Sequence, residues 1–306
     1  MTFLTVLLFS LIGSLAMADT PNVSLGKLVR IDDFTSQYVP ARPIDIWLPP
    51  NFDATNQYPV LYMHDGQMLF DRTTTWNGQE WGIDEVAGEL IADGLVRPFI
   101  VVGVHNIDTH RHAEYFPQDP FLAQSPEDQQ KAYRLQRGPD TTLFSQPVYS
   151  DRYLEFLVRE LKPFIEAHYP VLSGESYLMG SSMGGLISWY GLLKYPDEFR
   201  GAACLSTHWP GYFTLEDNPM PMLFEQYFRQ HISSLSDQKV YFDYGTATLD
   251  ALYPDLQARI DGVMSSASYP LELWQTKKFE GADHSEAAWS ARLHIPLQFL
   301  FGAPHP

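Results

Sequence analysis

Short apolar runs alternate with helix-like segments along most of this chain. The runs rich in β-branched or aromatic residues read IDIWLPP, YPVLYMHDG, FIVVGVHN, SYLMG, GAACLST, KVYFDYGT and LELWQTKKFEG. Between them lie helical patterns such as Glu80–Ala92 and Asp151–His168, the latter with apolar residues at three-to-four spacing. This alternation predicts an α/β fold whose mostly parallel central sheet is covered by helices on both faces. The first strands have no long helix between them and are expected to form an antiparallel edge.

Two stretches depart from the alternation. Residues 108–150 carry several prolines among Gln and Asp, and residues 207–238 begin with a segment rich in Pro, Gly and aromatic side chains. Both are expected to be insertions over the carboxyl-terminal edge of the sheet, where long loops form a lid or a binding wall. A merely solvated excursion is the alternative. The rest of the chain fits one domain, residues 19–306, with these insertions.

The first 18 residues are a separate feature. They form an apolar run that ends in Ala16-Met17-Ala18, a small-x-small pattern suited to cleavage before Asp19. The pattern predicts a signal peptide, a periplasmic or secreted protein, and no membrane association after cleavage. A retained anchor helix is the alternative, because the segment before the apolar run lacks Lys and Arg.

Charge and cysteine content exclude several classes of partner. The chain has 37 acidic and 20 basic side chains and a net charge of −17, so a nucleic-acid backbone or an anionic lipid surface would be repelled. Cys204 is the only cysteine, which rules out an intramolecular disulfide and a thiolate metal cluster. Because Cys204 lies in the apolar run GAACLST, we expect it to be buried.

The stretch Gly180-Ser181-Ser182-Met183-Gly184 satisfies G-x-S-x-G. It follows the strand pattern SYLM and precedes the helical pattern GLISWYGLLKYP, which is the context of a nucleophile on a tight strand-to-helix turn. The two glycines would let strand and helix approach, so Ser182 is expected to be the exposed hydroxyl and Ser181 a spacer. A glycine-rich turn that only caps a helix is the alternative.

A serine nucleophile needs a base and an orienting carboxylate. His284, in EGADHSEAAW, stands just after the last predicted strand, where this type of site places its base. The acid is expected after the strand KVYFDYG. Asp250 in the following loop is favoured over Asp243 within the strand, and both stay open.

Two backbone amides are needed for the oxyanion of such a site. Met183 would supply one, because it follows the nucleophile. Gln67 would supply the other, since Gly66 in HDGQMLFD allows a sharp turn after an early strand. His64 is a candidate second base, but a histidine that hydrogen-bonds the loop is favoured. No step of this chemistry needs a metal.

The substrate wall is predicted from an aromatic and Met-rich cluster. Its members are Trp209, Tyr212, Phe213, Met220, Met222 and Phe224. Trp209 is the predicted substrate-binding residue of an apolar or ring-binding wall. Simple packing of the loop on the sheet is the alternative.

The segments HDGQMLFD, GSSMGG, YFDYGTATLDALY and GADHSEAAW together resemble one esterase family. It includes esterase D, enterochelin esterases and feruloyl or acetyl xylan esterases, with mycolyltransferases as relatives, and the resemblance runs from about Asn51 to the C-terminus. It implies an α/β-hydrolase fold, a Ser-Asp/Glu-His triad and no cofactor. The matching positions are Ser182 as nucleophile, Asp250 as acid, His284 as base, and Gln67 and Met183 as oxyanion amides.

The expected function is therefore serine-dependent hydrolysis of a carboxylic ester through an acyl-enzyme. The substrate would be a small-molecule or polymer ester. An acyltransferase of the same fold and a catalytically inactive binding protein are the alternatives. Substrate specificity and oligomeric state stay open.

Overall fold

The computed structural model describes residues 20–302, and the predicted signal peptide, residues 1–18, lies outside them. The fold is built on a sheet of eight strands. In chain order the strands are β1 (Lys27–Phe34), β2 (Arg42–Leu48), β3 (Tyr58–His64), β4 (Ile100–Val104), β7 (Val171–Ser181), β8 (Gly201–Leu205), β9 (Lys239–Gly245) and β10 (Trp274–Phe279). A separate hairpin joins β5 (Gln136–Gly138) to β6 (Thr141–Thr142).

The strand order across the large sheet is β1-β2-β4-β3-β7-β8-β9-β10. β2 pairs antiparallel with both β1 and β4, and the remaining pairs are parallel. The predicted mostly parallel sheet with an antiparallel edge is therefore confirmed. β1 was not predicted, because this edge strand is only half-buried and its sequence, KLVRIDDF, is too polar for a strong apolar run.

Helices cover both faces of the sheet. In chain order they are α1 (Ile83–Ala92), α2 (Arg111–Tyr115), α3 (Gln118–Leu122), α4 (Pro126–Ala132), α5 (Ser150–Phe156), α6 (Lys162–His168), α7 (Met183–Lys194), α8 (Met220–His231), α9 (Pro254–Ser266), α10 (Glu286–Arg292) and α11 (His294–Phe301). One apolar core includes side chains of α5, α7, α8 and α9, and a second lies beneath α1, α10 and α11. Both cores contain sheet residues, as expected for strands that are buried on two sides.

Two local features explain where the predicted helices differ from the observed ones. α1 begins at Ile83 rather than near Glu80, because Gly82 before it has a left-handed φ of 61°. The segment predicted as one helix over Asp151–His168 is α5 and α6 joined by a π-helical turn, Leu157–Leu161. The amphipathic pattern thus locates the helix but does not resolve its internal change of pitch.

The two predicted insertions contain regular elements. Residues 108–150, between β4 and α5, hold α2, α3, α4 and the small hairpin. Residues 207–238 start as a loop and continue into α8, which is the crossover helix between β8 and β9. Cys204 is buried in β8, where burial raises the pKa of its thiol. Among residues 20–302, no helix has the length and apolar character needed to cross a membrane.

Candidate active site

Ser182 occupies the turn between a strand and a helix. β7 ends at Ser181 and α7 begins at Met183, so Ser182 stands alone with φ 57° and ψ −119°. A Cβ atom on Gly180 would lie 2.7 Å from the carbonyl carbon of Gly184, which explains why a side chain is excluded there. The Ser182 amide donates to the Leu205 carbonyl at 2.9 Å. The strained conformation is therefore held by the close approach of β7 and α7 and by β8.

His284 lies in the loop between β10 and α10, next to the loop that follows β9. Its Nδ1 is 2.5 Å from Oδ1 of Asp250, and its amide donates to Thr248 Oγ1 at 2.9 Å. The imidazole also packs edge-on against Trp289. The structure therefore brings together His284 and Asp250, two residues widely separated in the sequence, in a contact that fixes the tautomer of the imidazole.

Asp250 is fully buried, and both carboxylate oxygens have partners. While Oδ1 faces His284, Oδ2 accepts hydrogen bonds from the Gly245 amide at 2.6 Å and from Ser206 Oγ at 2.5 Å. These two donors satisfy the second carboxylate oxygen inside the core. They also prevent the carboxylate from rotating away from His284.

Asp243 has a different partner. It lies within β9, fully buried, and binds the guanidinium of Arg292 on α10 at 3.0 Å and 3.2 Å. The Tyr241 hydroxyl donates to the same carboxylate at 3.1 Å. Burial raises the pKa of Asp243, and Arg292 and Tyr241 oppose that effect. Of the two candidate acids, only Asp250 contacts His284 in the described part of the chain.

The two predicted oxyanion amides lie at the starts of helical turns. Met183 is the first residue of α7, and Gln67 is inside the short 3-10 helix Gly66–Met68 that follows β3. Amides in the first turn of a helix have no partner within that helix, so both are free to face a ligand. The Gln67 side chain accepts from the Asn106 amide at 3.2 Å, which ties this turn to the segment after β4.

One cavity contains most of these groups. It has a volume of about 1000 Å³, and its walls include Gln67, Ser182 and His284. Most other side chains on its walls are polar, among them Thr74, Asn77, Gln79, Asn106, Arg137 and Glu286. The cavity is large enough for a drug-sized ligand. Within residues 20–302, no three His, Cys, Asp or Glu side chains are grouped so that they could hold a metal ion.

Residues 40–299 match the model of a protein family named Esterase and described as "Putative esterase". The chain belongs to this esterase family. The family name describes ester hydrolysis, and the match covers every residue placed in the site above.

A curated relative of this esterase-family chain is also named an esterase. The ferri-bacillibactin esterase BesA of Bacillus subtilis (strain 168) is 26% identical over 164 residues, which are 52% of this chain and 51% of that protein. The chain thus matches about half of the length of this curated relative.

Solved structures show the same fold at lower identity. The ferulic acid esterase AmCE1/Fae1A of Anaeromyces mucronatus has a TM-score of 0.63 at 19% identity, covering 92% of this chain and 93% of that one. The enterobactin esterase FES of Shigella flexneri has a TM-score of 0.64 at 14% identity, covering 92% and 60%. These similarities confirm the predicted α/β-hydrolase fold.

A charged group beside the turn that carries Gln67 was not predicted from the sequence, although Asp65 and Arg111 both lie on the cavity wall. Asp65, with φ 59°, precedes that turn, and Arg111 on α2 binds its carboxylate at 2.7 Å and 2.6 Å. Asn106 donates to the same carboxylate at 2.6 Å. Burial would raise the pKa of Asp65, but Arg111 and Asn106 hold it below its usual value. This ion pair fixes the turn that carries Gln67, and its partners are too far apart in sequence to be paired by spacing.

The hydrogen bond of His64 differs from the one that the sequence favours. Its Nδ1 is 2.8 Å from the Tyr153 hydroxyl on α5, so its hydrogen bond goes to a helix rather than to the following loop. Burial lowers the pKa of His64 to about 3, with nearby Arg111 contributing in the same direction. His64 is therefore neutral at ordinary pH and belongs to the packing beneath the site.

Trp209 does not line the cavity, and the predicted substrate-binding role does not fit its position. Its side chain is 1% exposed, and its Nε1 donates to Gln257 Oε1 at 2.7 Å. The tryptophans on the cavity wall are Trp76, Trp81 and Trp289, and of these Trp76 is 83% exposed. Sequence reasoning missed Trp76 because it lies in a short polar loop, DRTTTWNGQ, where no aromatic cluster marks it.

Proposed function

We propose that the protein is a serine carboxylic-ester hydrolase whose triad is Ser182, His284 and Asp250. The observation that carries this proposal is the 2.5 Å contact between His284 and Asp250, with His284 and Ser182 on the wall of one cavity. A nucleophile on a strained turn, a histidine and a buried carboxylate are the parts that acyl transfer to serine requires. Membership of the esterase family supports the same chemistry.

In the first half-reaction, His284 Nε2 accepts the Ser182 proton as Ser182 Oγ forms a bond to the ester carbonyl carbon. The carbonyl oxygen becomes an oxyanion, to which the amides of Gln67 and Met183 donate. Collapse of this tetrahedral species breaks the carbon–oxygen bond to the alcohol. The alcohol leaves with the proton from His284, and an acyl-enzyme remains on Ser182.

In the second half-reaction, water takes the place of the alcohol. His284 accepts a proton from water, the hydroxide oxygen attacks the acyl carbon, and Ser182 recovers its proton as the acid leaves. Throughout the cycle, Asp250 stabilises the imidazolium form of His284 without taking its proton. The large cavity, with many polar side chains on its wall, supports hydrolysis over acyl transfer, since an acyltransferase must keep water away from the acyl-enzyme.

The same cavity supports a substrate class. Its walls offer amide, hydroxyl and charged side chains together with the exposed indole of Trp76. Such a surface suits an ester with polar substituents and a ring that can stack on Trp76, either as a small molecule or at a site on a polymer. A narrow apolar channel for a long acyl chain is not what these residues form.

Export completes the proposal and rests on the first 18 residues alone. The mature chain is expected to begin near Asp19 and to act in the periplasm or outside the cell. Mass spectrometry of the protein recovered from its native compartment would measure its first residue. An intact Met1 on a cytoplasmic species would contradict export.

The hydrolase proposal is tested by comparing Ser182→Ala with Ser181→Ala. Ser182→Ala should lose activity by roughly three or more powers of ten while keeping its melting temperature within a few degrees. Ser181→Ala should keep a large share of activity, because Ser181 is a buried residue at the end of β7 and precedes the residue that occupies the turn. A fluorophosphonate probe should label the natural protein and Ser181→Ala, but not Ser182→Ala. Labelling or turnover that survives Ser182→Ala would overturn the proposed nucleophile.

A further inference from the structure

Ser206 is the first residue after β8 and lies between Asp250 and α10. Its side chain is fully buried, and its backbone has a left-handed φ of 41°. The hydroxyl oxygen is 2.5 Å from Asp250 Oδ2, 3.0 Å from Trp289 Nε1 and 2.9 Å from Arg292 Nη2. A single hydroxyl thus connects the buried carboxylate to two side chains of α10.

The proton on Ser206 can point in only one direction. An indole N–H and a guanidinium N–H are donors without any acceptor capacity, so Trp289 and Arg292 must each use a lone pair of the Ser206 oxygen. A hydroxyl has two lone pairs and one proton, and the lone pairs are now filled. The remaining proton is therefore donated to Asp250.

Arg292 is itself fixed. Its Nε and Nη2 bind the Asp243 carboxylate, and its guanidinium lies 4.9 Å from the centre of the Phe279 ring. Because an arginine in a protein stays protonated, it cannot become an acceptor that would let the Ser206 hydroxyl turn round. The ion pair within the core thus determines the orientation of a hydrogen bond to Asp250.

We propose that Ser206 is a positioning residue for the catalytic carboxylate, held in its donor orientation by Arg292 and Trp289. This inference rests on the proposed function. Ser206 is not part of the cavity wall and acts through Asp250 on His284. The Ser206 hydroxyl and the Gly245 amide both donate to Asp250 Oδ2. Asp250 Oδ1 therefore stays aligned with the imidazole when His284 becomes charged.

The experiment compares Ser206→Ala and Ser206→Gly with the natural protein. Both changes remove the hydroxyl, but glycine also relieves the strain of the left-handed backbone. Turnover should fall about 10- to 100-fold in both variants, as expected for loss of a hydrogen bond to a charged group, while KM stays within about twofold. The two variants should differ in melting temperature, because only one of them keeps the backbone strain.

Ser188→Ala is the matched control. Ser188 is also fully buried, but its hydroxyl donates to the Gly184 carbonyl within α7 at 2.8 Å and does not contact Asp250. Its loss should lower the melting temperature and leave kcat unchanged. Were Ser206→Ala to fold poorly, Ser206→Gly would decide the outcome.

Two results would overturn the inference. The first is that folded Ser206 variants have a normal kcat, and the second is that their lower activity comes entirely from a higher KM. The Ser182→Ala variant keeps this failure distinct from that of the proposed function. If Ser182→Ala is inactive and the Ser206 variants turn over normally, only the role of Ser206 is wrong. If Ser182→Ala is active, the hydrolase mechanism itself is wrong.

Discussion

Two buried carboxylates near the carboxyl end of β9 have opposite kinds of partner. Asp243, within the strand, binds Arg292, whereas Asp250, in the loop that follows, binds His284. Arginine is permanently charged, so the first pair is fixed. A histidine can both accept and donate a proton, which is what the proposed mechanism requires of the second pair. The chemistry available to a buried carboxylate is therefore set by its partner, since both residues are equally buried.

The two pairs are also joined. Ser206 receives a hydrogen bond from Arg292 and donates one to Asp250, and its amide donates to the Asp243 carbonyl at 2.8 Å. The Arg292–Asp243 ion pair thus supports the His284–Asp250 pair that would act in catalysis. A change at Asp243 should consequently affect stability first and turnover only through Ser206.

The largest expected effect that separates the two carboxylates is that of Asp250→Asn. An Asn side chain has no negative charge to stabilise the imidazolium and can favour the wrong tautomer of His284. We expect kcat to fall by roughly two to four powers of ten with KM little changed. Steady-state kinetics on any ester that the natural protein hydrolyses, at equal folded concentration, would measure this.

Asp243→Asn is the matched control for that measurement. It leaves Arg292 buried without a counter-charge, and breaking a buried ion pair in this way costs roughly 3–5 kcal/mol of unfolding free energy. The melting temperature should fall clearly, and kcat should fall far less than in Asp250→Asn. The reverse pattern, with turnover lost at Asp243 and only stability lost at Asp250, would transfer the acid role to Asp243.

The sequence could place both aspartates near the end of one strand but could not choose between them with certainty. Their roles depend on contacts with α10 and the loop before it, which lie more than thirty residues further along the chain. The local pattern of apolar and polar residues does not predict such pairings, because it indicates periodicity and turns rather than side-chain partners. The position of Asp250 in the loop after the strand favours it, the resemblance to known esterases agrees, and the structure supplies the contact with His284.

The serine turn was easier to predict than the wall of the cavity. The positions of Ser182, Gly180 and Gly184 follow from local backbone geometry, which a short motif encodes directly. Whether an aromatic residue faces a cavity or the core depends on the packing of distant helices. Trp209 and Trp76 show this, since the residue in the aromatic cluster is buried and the isolated one is exposed.

The partners of two histidines can be compared in the same way, and the expected effect is smaller. His284 has a carboxylate partner, whereas the Nδ1 of buried His208 is 2.9 Å from the Tyr253 hydroxyl. Burial lowers the pKa of His208 to about 3, and the nearby His284 and Arg111 act in the same direction. Without a carboxylate, a buried histidine stays neutral, and its protonation must couple to unfolding.

The sign of that coupling gives the last prediction. In the unfolded chain His208 titrates near 6.5, so between about pH 6.5 and 3 the unfolded state binds a proton that the folded state does not. Stability should then fall as the pH is lowered, by roughly 1.4 kcal/mol per pH unit from this residue. Chemical denaturation at pH 7 and pH 5 should show a smaller loss on acidification for His208→Gln than for the natural protein. His294→Gln, which changes an exposed histidine, is the control and should follow the natural protein. Equal losses in all three proteins would mean that His208 gains its proton without unfolding, and that a phenol partner can support a charged histidine as a carboxylate does.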